Sequence, residues 1–340
     1  MQYFNQLILS SIQYSASHIY FIPNTPPAIK TLGRIEFLQL KNCSTIEIEK
    51  IIESVLTEEA YNLCKSKNYF TTTLNFNQEY QLNIHIIRSI SQIKMVIQIN
   101  KKTSYSLSEL NIPIELLKTI SSASKGLIIV TGAPHHNKDI TINALLDEIN
   151  NNQKKHVLIF SNDNAFHKTS NKSIISSYNL SQVNFEFIKN QSADIVILGC
   201  INSTELIHIA NNCIAIGTLV IALVDAVSVT YAIEKIISLF PHRQSGLNTL
   251  SYHLLGIMLQ VFITSKIHNN SLYLYDFIKC NSKVQNLIQE DKLQQINSSN
   301  IKNKINELIE QNKLTYHDVQ IILSNLSNTQ FFYDTHYDIF

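Results

Sequence analysis

The sequence predicts a two-domain α/β protein with a mostly antiparallel sheet in the first domain and a parallel sheet flanked by helices in the second. A chain of 340 residues suffices for two domains, each with its own core. From about residue 112, short β-branched runs alternate with helical patterns. This alternation is typical of a parallel sheet whose strands are connected by helices.

The first domain is expected over residues 1–103. It opens with an amphipathic helix and ends at a polar stretch that is the best linker candidate, with the linker placed at 104–113. Between them we predict an extended segment at 17–22, a turn at Pro26-Pro27, a hairpin around Gly33, a helix at 44–66, and strands at 70–76, 80–90 and 93–99.

The second domain is expected to have a core at 114–272 and a helical region at 273–340. Its strands are predicted at 127–130, 156–160, 195–198 and 219–224, with helices between them. The aromatic tail at 331–340 is either a docking segment or disordered.

Composition excludes several classes of protein. The net charge is +1 and positive and negative residues are interspersed, which argues against a nucleic-acid partner. Only three arginines occur, which limits bidentate grips on phosphate. Five cysteines without a CxxC pair favour free thiols in a reducing compartment.

The sequence shows neither a signal peptide nor a membrane-spanning segment, which predicts a cytoplasmic location. The first fifteen residues lack the basic region and the small-residue cleavage site of a signal peptide. The longest apolar run, at 213–224, is shorter than the roughly 20 residues that span a bilayer. We therefore expect a soluble, cytoplasmic chain.

The segment at 126–150, GLIIVTGAPHHNKDITINALLDEIN, has the plan of a phosphate-binding loop between a buried strand and a helix. In the pattern GxxxxGK[ST], Gly132 fills the first glycine and Lys138 the lysine. Asn137 stands at the second glycine and Asp139 at the hydroxyl that would bind Mg²⁺. The candidate nucleotide-binding residues are Gly132, Ala133, Pro134, His135, His136, Asn137, Lys138, Asp139 and Ile140.

The substitutions alter the chemistry of this loop. Phosphate-binding loops use glycines so that consecutive backbone N–H groups can curl around the phosphates. Asn137 tolerates the left-handed backbone that the turn requires, whereas His135 adds a bulky ring. The carboxylate of Asp139 can hold a metal ion, but it also repels phosphate and can pair with Lys138.

Two other kinds of site are disfavoured. His135 and His136, with His156 or His167, lack the ligand spacing of known metal sites. The sequence also lacks the G-x-S-x-G elbow of a serine hydrolase.

Further motifs follow the loop in a fixed order. The segment at 193–199, ADIVILG, resembles a Walker B strand, and Phe240-Pro241 follows it. The segment at 283–292 reads KVQNLIQEDK. In their order and spacing these motifs resemble the PilT family of type IV pilus retraction motors, whose AIRNLIRE segment is similar to 283–292. Further matches to this family are Ala16-Ser17, Pro26-Pro27, Ile29, Gly33, Leu107, Glu109 and Leu110.

The resemblance implies an N-terminal PAS-like domain, a RecA-like P-loop domain and a hexameric ring. It implies ATP and Mg²⁺ as cofactors, with ATP held between the domains. It also implies a cytoplasmic location, peripheral at the inner-membrane base of the pilus, beside the platform protein.

The chain departs from the family pattern at its polar catalytic positions. Cys200 stands where the family has the glutamate that activates water, and Asp163 is the only acidic residue near the family's acidic segment. Asp225 stands where a histidine is expected, and Asn202 replaces an arginine. The arginine that reaches a neighbouring subunit falls near Gln98, with Arg88 as its substitute.

The leading hypothesis is a PilT-like protein with weak or absent ATP binding and hydrolysis, which acts as an assembly or regulatory subunit in its own ring or in a mixed ring with an active motor. One alternative is a slow retraction ATPase that uses Lys138, Asp139 and Asp163 in altered roles. The other alternative is a structural adaptor that binds no nucleotide.

Overall fold

The computed structural model describes residues 2–31, 34–77, 79–89, 92–101, 105–134, 136–162, 166, 170–265, 270–296 and 300–315. The chain divides into two compact units, residues 1–103 and 104–340. Within the described ranges, no helix combines the length and the apolar character that a membrane crossing requires.

The first unit is built on a six-stranded sheet in the order β3-β2-β1-β6-β5-β4. Every neighbouring pair in this sheet is antiparallel, including the β2–β3 hairpin, as the sequence predicts. The elements are α1 (Gln2–Gln13), β1 (Ala16–Phe21), β2 (Ala28–Thr31), β3 (Arg34–Phe37), α2 (Thr45–Val55), α3 (Glu58–Lys65), β4 (Tyr69–Asn75), β5 (Tyr80–Arg88) and β6 (Ile93–Lys101).

The single helix predicted at 44–66 is wrong, because two helices occupy this stretch. Leu56 ends α2 in an extended conformation (φ −87°, ψ 151°). The side chain of Thr57 then accepts a hydrogen bond from the N–H of Ala60 and begins α3. Ile48 and Ile52 of α2 are buried in the core of this unit.

The second unit contains a seven-stranded sheet in the order β13-β12-β7-β11-β10-β8-β9. All neighbours are parallel except β12 and β13. The strands are β7 (Gly126–Gly132), β8 (His156–Phe160), β9 (Ile174–Tyr178), β10 (Ile195–Leu198), β11 (Leu219–Asp225), β12 (Leu254–Ser265) and β13 (Asn270–Lys279). The helices are α4 (Leu107–Leu110), α5 (Ile114–Ser122), α6 (Lys138–Asn152), α7 (Phe185–Gln191), α8 (Thr204–Ala215), α9 (Val229–Ile237), α10 (Arg243–His253), α11 (Ser282–Gln289) and α12 (Asn300–Glu310).

Strand β7 is an interior strand of this sheet, between β12 and β11, and is buried along its whole length. Leu127 and Ile129 belong to one hydrophobic cluster, while Ile128 and Val130 belong to a second. Successive side chains of a strand point to opposite faces, so both faces of the sheet are covered. The four strands predicted for this domain are confirmed, whereas β9, β12 and β13 were not predicted.

The prediction of a helical region from residue 273 is wrong for its first part. Residues 273–279 belong to β13, which pairs with β12 from Gly256↔Lys279 to Ser265↔Asn270. Helices α11 and α12 follow this strand. The aromatic tail at 331–340 lies outside the described residues. The linker at 104–113 stays a prediction.

Candidate functional site

The candidate site lies at the carboxyl end of β7, where the loop at 133–137 leads into α6. The sequence predicts this strand–turn–helix arrangement. Asn137 adopts the left-handed conformation expected for its position, with φ 50° and ψ 48°. The N–H of Ile140 then donates to the carbonyl of Asn137, which sets the first turn of the helix.

Gly132 is required by a close approach between neighbouring strands. A Cβ atom at this position would lie 2.7 Å from the backbone oxygen of Gln260 in β12. Such a contact is too short for any real side chain, so packing alone explains the glycine. Its place in the phosphate-loop pattern therefore needs no bound phosphate.

Lys138 is buried, with 7% of its side chain exposed, and its ammonium is held by its own chain. Nζ donates to the carbonyl oxygens of Gly132 and Ala133, each at 3.1 Å. It also lies 2.8 Å from Oδ1 of Asp225, which ends β11. A lysine ammonium has three N–H donors, and these contacts use all three.

A buried amide holds the loop against β12. Gln260 is fully buried, and its Nε2 donates to the carbonyl oxygens of His136 and Asn137. Its Oε1 accepts from the hydroxyl of Thr141 at 2.8 Å. The carbonyl groups of the loop are thus bound by side chains of the protein, which fixes the loop's course.

Two tyrosines of β13 continue this network. Tyr275 lies 2.8 Å from the hydroxyl of Thr141. Tyr273 forms a hydrogen bond with the side chain of Asn137. Burial raises the pKa of Tyr273 to about 12, with further contributions from nearby Tyr105 and Asp139. These contacts place Asp139 close to a neutral phenol.

Cys200 follows β10 by two residues and is partly exposed. Burial raises the pKa of its thiol and the carboxylate of Asp225 raises it further, while Lys235 and Lys138 lower it. The thiol is therefore neutral at physiological pH. Lys235 also donates to the backbone oxygen of Asp225 at 2.9 Å.

The charged groups around the loop balance each other. Lys138 and Lys235 contribute two positive charges, and Asp139 and Asp225 contribute two negative charges. A site for a nucleotide triphosphate normally carries excess positive charge or a metal ion. The formal charges of these four side chains sum to zero.

Other predicted site residues are dispersed or not described. His135 and Asp163 lie outside the described residues. His156 begins β8 and therefore lies at the amino ends of the parallel strands. Lys138 and His136 follow the carboxyl end of β7, so His156 is not brought together with His136. Across the described part of the chain, no group of three metal-ligating side chains could hold an ion.

Arg88, the candidate substitute for the family arginine, is engaged inside the first unit. Its guanidinium binds both carboxylate oxygens of Glu49, at 2.8 and 2.9 Å. Tyr61 donates to the same carboxylate at 2.9 Å. These contacts make Arg88 a structural residue of this unit.

Comparison with known proteins identifies relatives over most of the chain. No protein-family model matches. A twitching motility protein of Neisseria gonorrhoeae is 23% identical over 280 residues, which cover 80% of this chain and 75% of the relative. The type IV pilus retraction ATPase PilT of Pseudomonas aeruginosa is 21% identical over 304 residues, covering 86% of this chain and 87% of the relative. The chain is a relative of the PilT proteins.

Solved structures give the same fold. The structure of the pilus retraction motor PilT with bound ADP matches with a TM-score of 0.72 and 22% identity, and covers 86% of this chain and 87% of that one. The ATPase DotB of Legionella pneumophila matches with a TM-score of 0.77 and 15% identity, and covers 95% of both chains. The chain thus has the PilT-like fold.

Sequence reasoning missed three residues that hold the loop and Lys138 of this candidate site. Asp225 was noted only as the replacement of a histidine, and its contact with Lys138 was not predicted. The available signal was its place at the end of a buried apolar run, because the carboxyl ends of parallel strands share one edge. Gln260 and Tyr273 carried no signal, since their strands were not predicted.

Proposed function

We propose that this chain is a PilT-like subunit of a type IV pilus system that acts through assembly, and that it binds ATP weakly or not at all and hydrolyses it negligibly. The observation that carries the proposal is the state of Lys138. All three N–H groups of this lysine are bound by the chain itself, one of them by a carboxylate.

Nucleotide binding is disfavoured by the cost of opening these contacts. A phosphate oxygen that approaches Nζ of Lys138 must displace a carbonyl or the Asp225 carboxylate. Asp139 stands in the first turn of α6, where the P-loop pattern has a hydroxyl. A like-charge contact at about 4 Å costs roughly 4 kcal/mol at an effective dielectric of 20, which offsets a good phosphate contact.

Hydrolysis is disfavoured by the missing carboxylate. Phosphoryl transfer depends on positioning and on stabilisation of developing charge. Cys200, at the glutamate position implied by the family resemblance, carries a neutral thiol that cannot activate water as a carboxylate does. General-base catalysis of this kind contributes on the order of 10²–10⁴ in rate. With Asp139 in place of the metal-binding hydroxyl, little catalysis is left.

The assembly role rests on the intact scaffold and on the relatives. Both clusters of the second unit are densely apolar and buried, so the fold has been kept while polar positions changed. A role in a pilus system is supported by relatives named as a pilus retraction ATPase and a twitching motility protein. We propose a hexameric ring of this chain alone, or a mixed ring with an active motor. It would lie on the cytoplasmic side of the inner membrane at the pilus platform protein.

Binding of labelled ATP in the presence of Mg²⁺, with Lys138→Ala as the control, tests the nucleotide part of this proposal. We expect ATP to bind with a dissociation constant of about 1 mM or higher. We expect no difference in turnover between the two proteins. Weak binding without turnover favours a regulatory subunit, and no binding favours an adaptor. Tight binding and turnover that are both lost in Lys138→Ala would show an active motor and overturn the proposal.

Solution mass tests the assembly part. We expect a ring-sized particle at micromolar concentration, from the chain alone or after mixing with an active PilT-type motor. A strict monomer under both conditions would contradict the role in assembly.

A further inference from the structure

The carboxylate of Asp225 takes the position of an anion at the phosphate-loop lysine. In the sheet, Asp225 of β11 is the direct partner of Gly132 of β7. This register brings its side chain beside the loop, with Oδ1 2.8 Å from Nζ of Lys138. The other acceptors of that ammonium are neutral carbonyl oxygens.

The backbone on both sides of Asp225 is fixed. The hydroxyl of Thr131 donates to the carbonyls of Val224 and Ala226, at 3.0 and 3.1 Å. The N–H of Ala226 donates to the carbonyl of Gly132 at 3.2 Å. Lys235 donates to the carbonyl of Asp225 itself. The carboxylate therefore starts from a rigid strand end, and its place beside Lys138 is built into the fold.

We propose that Asp225 is a specificity-determining residue that occupies the anion position of the loop and excludes phosphate groups from it. The proposal rests on the proposed function and gives it a cause. An internal carboxylate is tethered at the site, so an external phosphate must compete against a partner of very high effective concentration. It must also approach a negative charge that stays in place.

The test compares two lysine-paired aspartates whose side chains are similarly exposed. Asp225 and Asp194 each pair with a lysine, and their side chains are 42% and 44% exposed. Asp194 directly precedes β10 and pairs with Lys155 at 3.5 Å. This pair lies at the amino ends of the parallel strands, whereas Asp225 lies at their carboxyl ends. Asp194→Asn therefore removes the same charge and a similar ion pair without touching the loop.

Binding of inorganic pyrophosphate by the full-length protein is measured by calorimetry at low salt. We expect Asp225→Asn to bind at least about tenfold more tightly than the wild type, a difference of ~1.4 kcal/mol. Asp225→Glu, which keeps the charge, and Asp194→Asn are expected to bind like the wild type. The gain should disappear in the double variant Asp225→Asn/Lys138→Gln, because the freed ammonium is its source.

Equal affinity in Asp225→Asn and wild type, with both proteins folded by circular dichroism, would overturn the proposal and leave the proposed function standing. An equal gain in Asp194→Asn would also overturn it, because only bulk charge would then matter. Tight binding already in the wild type would instead defeat the proposed function. If Asp225→Asn does not fold, Asp225→Ala is measured in its place and must show the same gain.

Discussion

The hydroxyl of Thr141 donates a hydrogen bond to Oε1 of Gln260 at 2.8 Å, and both side chains are fully buried. Thr141 lies in the first turns of α6, while Gln260 lies in β12. Because the amide of Gln260 also donates to two loop carbonyls, this single contact joins the helix, the loop and the sheet. The conformation of the loop is thus maintained by the protein's own polar groups.

Replacing Gln260 with alanine should lower the stability of the second unit. The change leaves two loop carbonyls without their buried donor and removes one of the two hydrogen-bond partners of the Thr141 hydroxyl, the other being Tyr275. We expect the free energy of unfolding in urea to fall by about 2–4 kcal/mol. Gln244→Ala, on the exposed face of α10, is the control and should shift it by less than about 0.5 kcal/mol. If the two variants have the same urea unfolding curve, the role assigned to Gln260 is contradicted.

Gly132→Ala should destabilise the protein even without any ligand. The added Cβ would meet the backbone oxygen of Gln260 at 2.7 Å, and a backbone atom in a central sheet cannot move away cheaply. We expect a loss of about 1–3 kcal/mol, measured by urea unfolding in nucleotide-free buffer. Ser121→Ala, at an exposed position of α5, serves as the control. An unchanged midpoint would mean that β7 and β12 can separate and that packing does not explain the glycine.

The Arg88–Glu49 pair predicts a pH-dependent contribution to the stability of the first unit. The pKa of Glu49 is lowered, chiefly by the hydrogen bonds from Arg88. A carboxyl with a depressed folded-state pKa stabilises the fold fully above its unfolded value of about 4.3, and this contribution is lost as the pH falls through the folded-state pKa.

Arg88→Gln is therefore expected to cost about 2 kcal/mol at pH 7, and its cost should shrink as the pH is lowered below about 4. Urea unfolding at a series of pH values measures it. Lys189→Gln, which breaks the exposed pair with Glu186, should have little effect at any pH. A cost for Arg88→Gln that does not change with pH would mean that packing, not charge, holds the pair.

Alkylation of Cys200 should report the charges around the loop. The Asp225 carboxylate raises the pKa of this thiol and Lys138 lowers it. At neutral pH we expect iodoacetamide to modify Cys200 fastest in Asp225→Asn and slowest in Lys138→Gln, because the thiolate is the reactive form. Peptide mass spectrometry measures the rates, with buried Cys213, whose thiol pKa is about 12, as the internal reference. If Cys200 reacts faster in Lys138→Gln than in Asp225→Asn, the charges of Asp225 and Lys138 do not act on this thiol as described.

Local patterns predicted the elements whose apolar residues dominate. The β-branched residues of β7 and β11 mark buried strands without further information. Thr57, followed by Glu58 and Glu59, carried a helix-start signal inside the predicted helix at 44–66, but the continuing apolar periodicity outweighed it.

The remaining elements depend on tertiary contacts. Strand β12 contains Gly256 and Gln260, which weaken its local pattern. Gly256 is explained by the ring of Phe277 in β13, which a Cβ would meet at 2.5 Å, and Gln260 by the loop that it binds. The pairing of Asp225 with Lys138 likewise follows from the neighbouring positions of β11 and β7 in the sheet. Neither the strand β12 nor the pairing of Asp225 with Lys138 can be predicted from residues that are close in the sequence.

Phosphate release from Mg-ATP by the assembled wild-type protein, measured beside Lys138→Ala, tests the central claim most directly. If the chain keeps the motor scaffold without its hydrolytic chemistry, both proteins will release phosphate at the same background rate. A wild-type rate well above background that falls to background in Lys138→Ala would contradict the account.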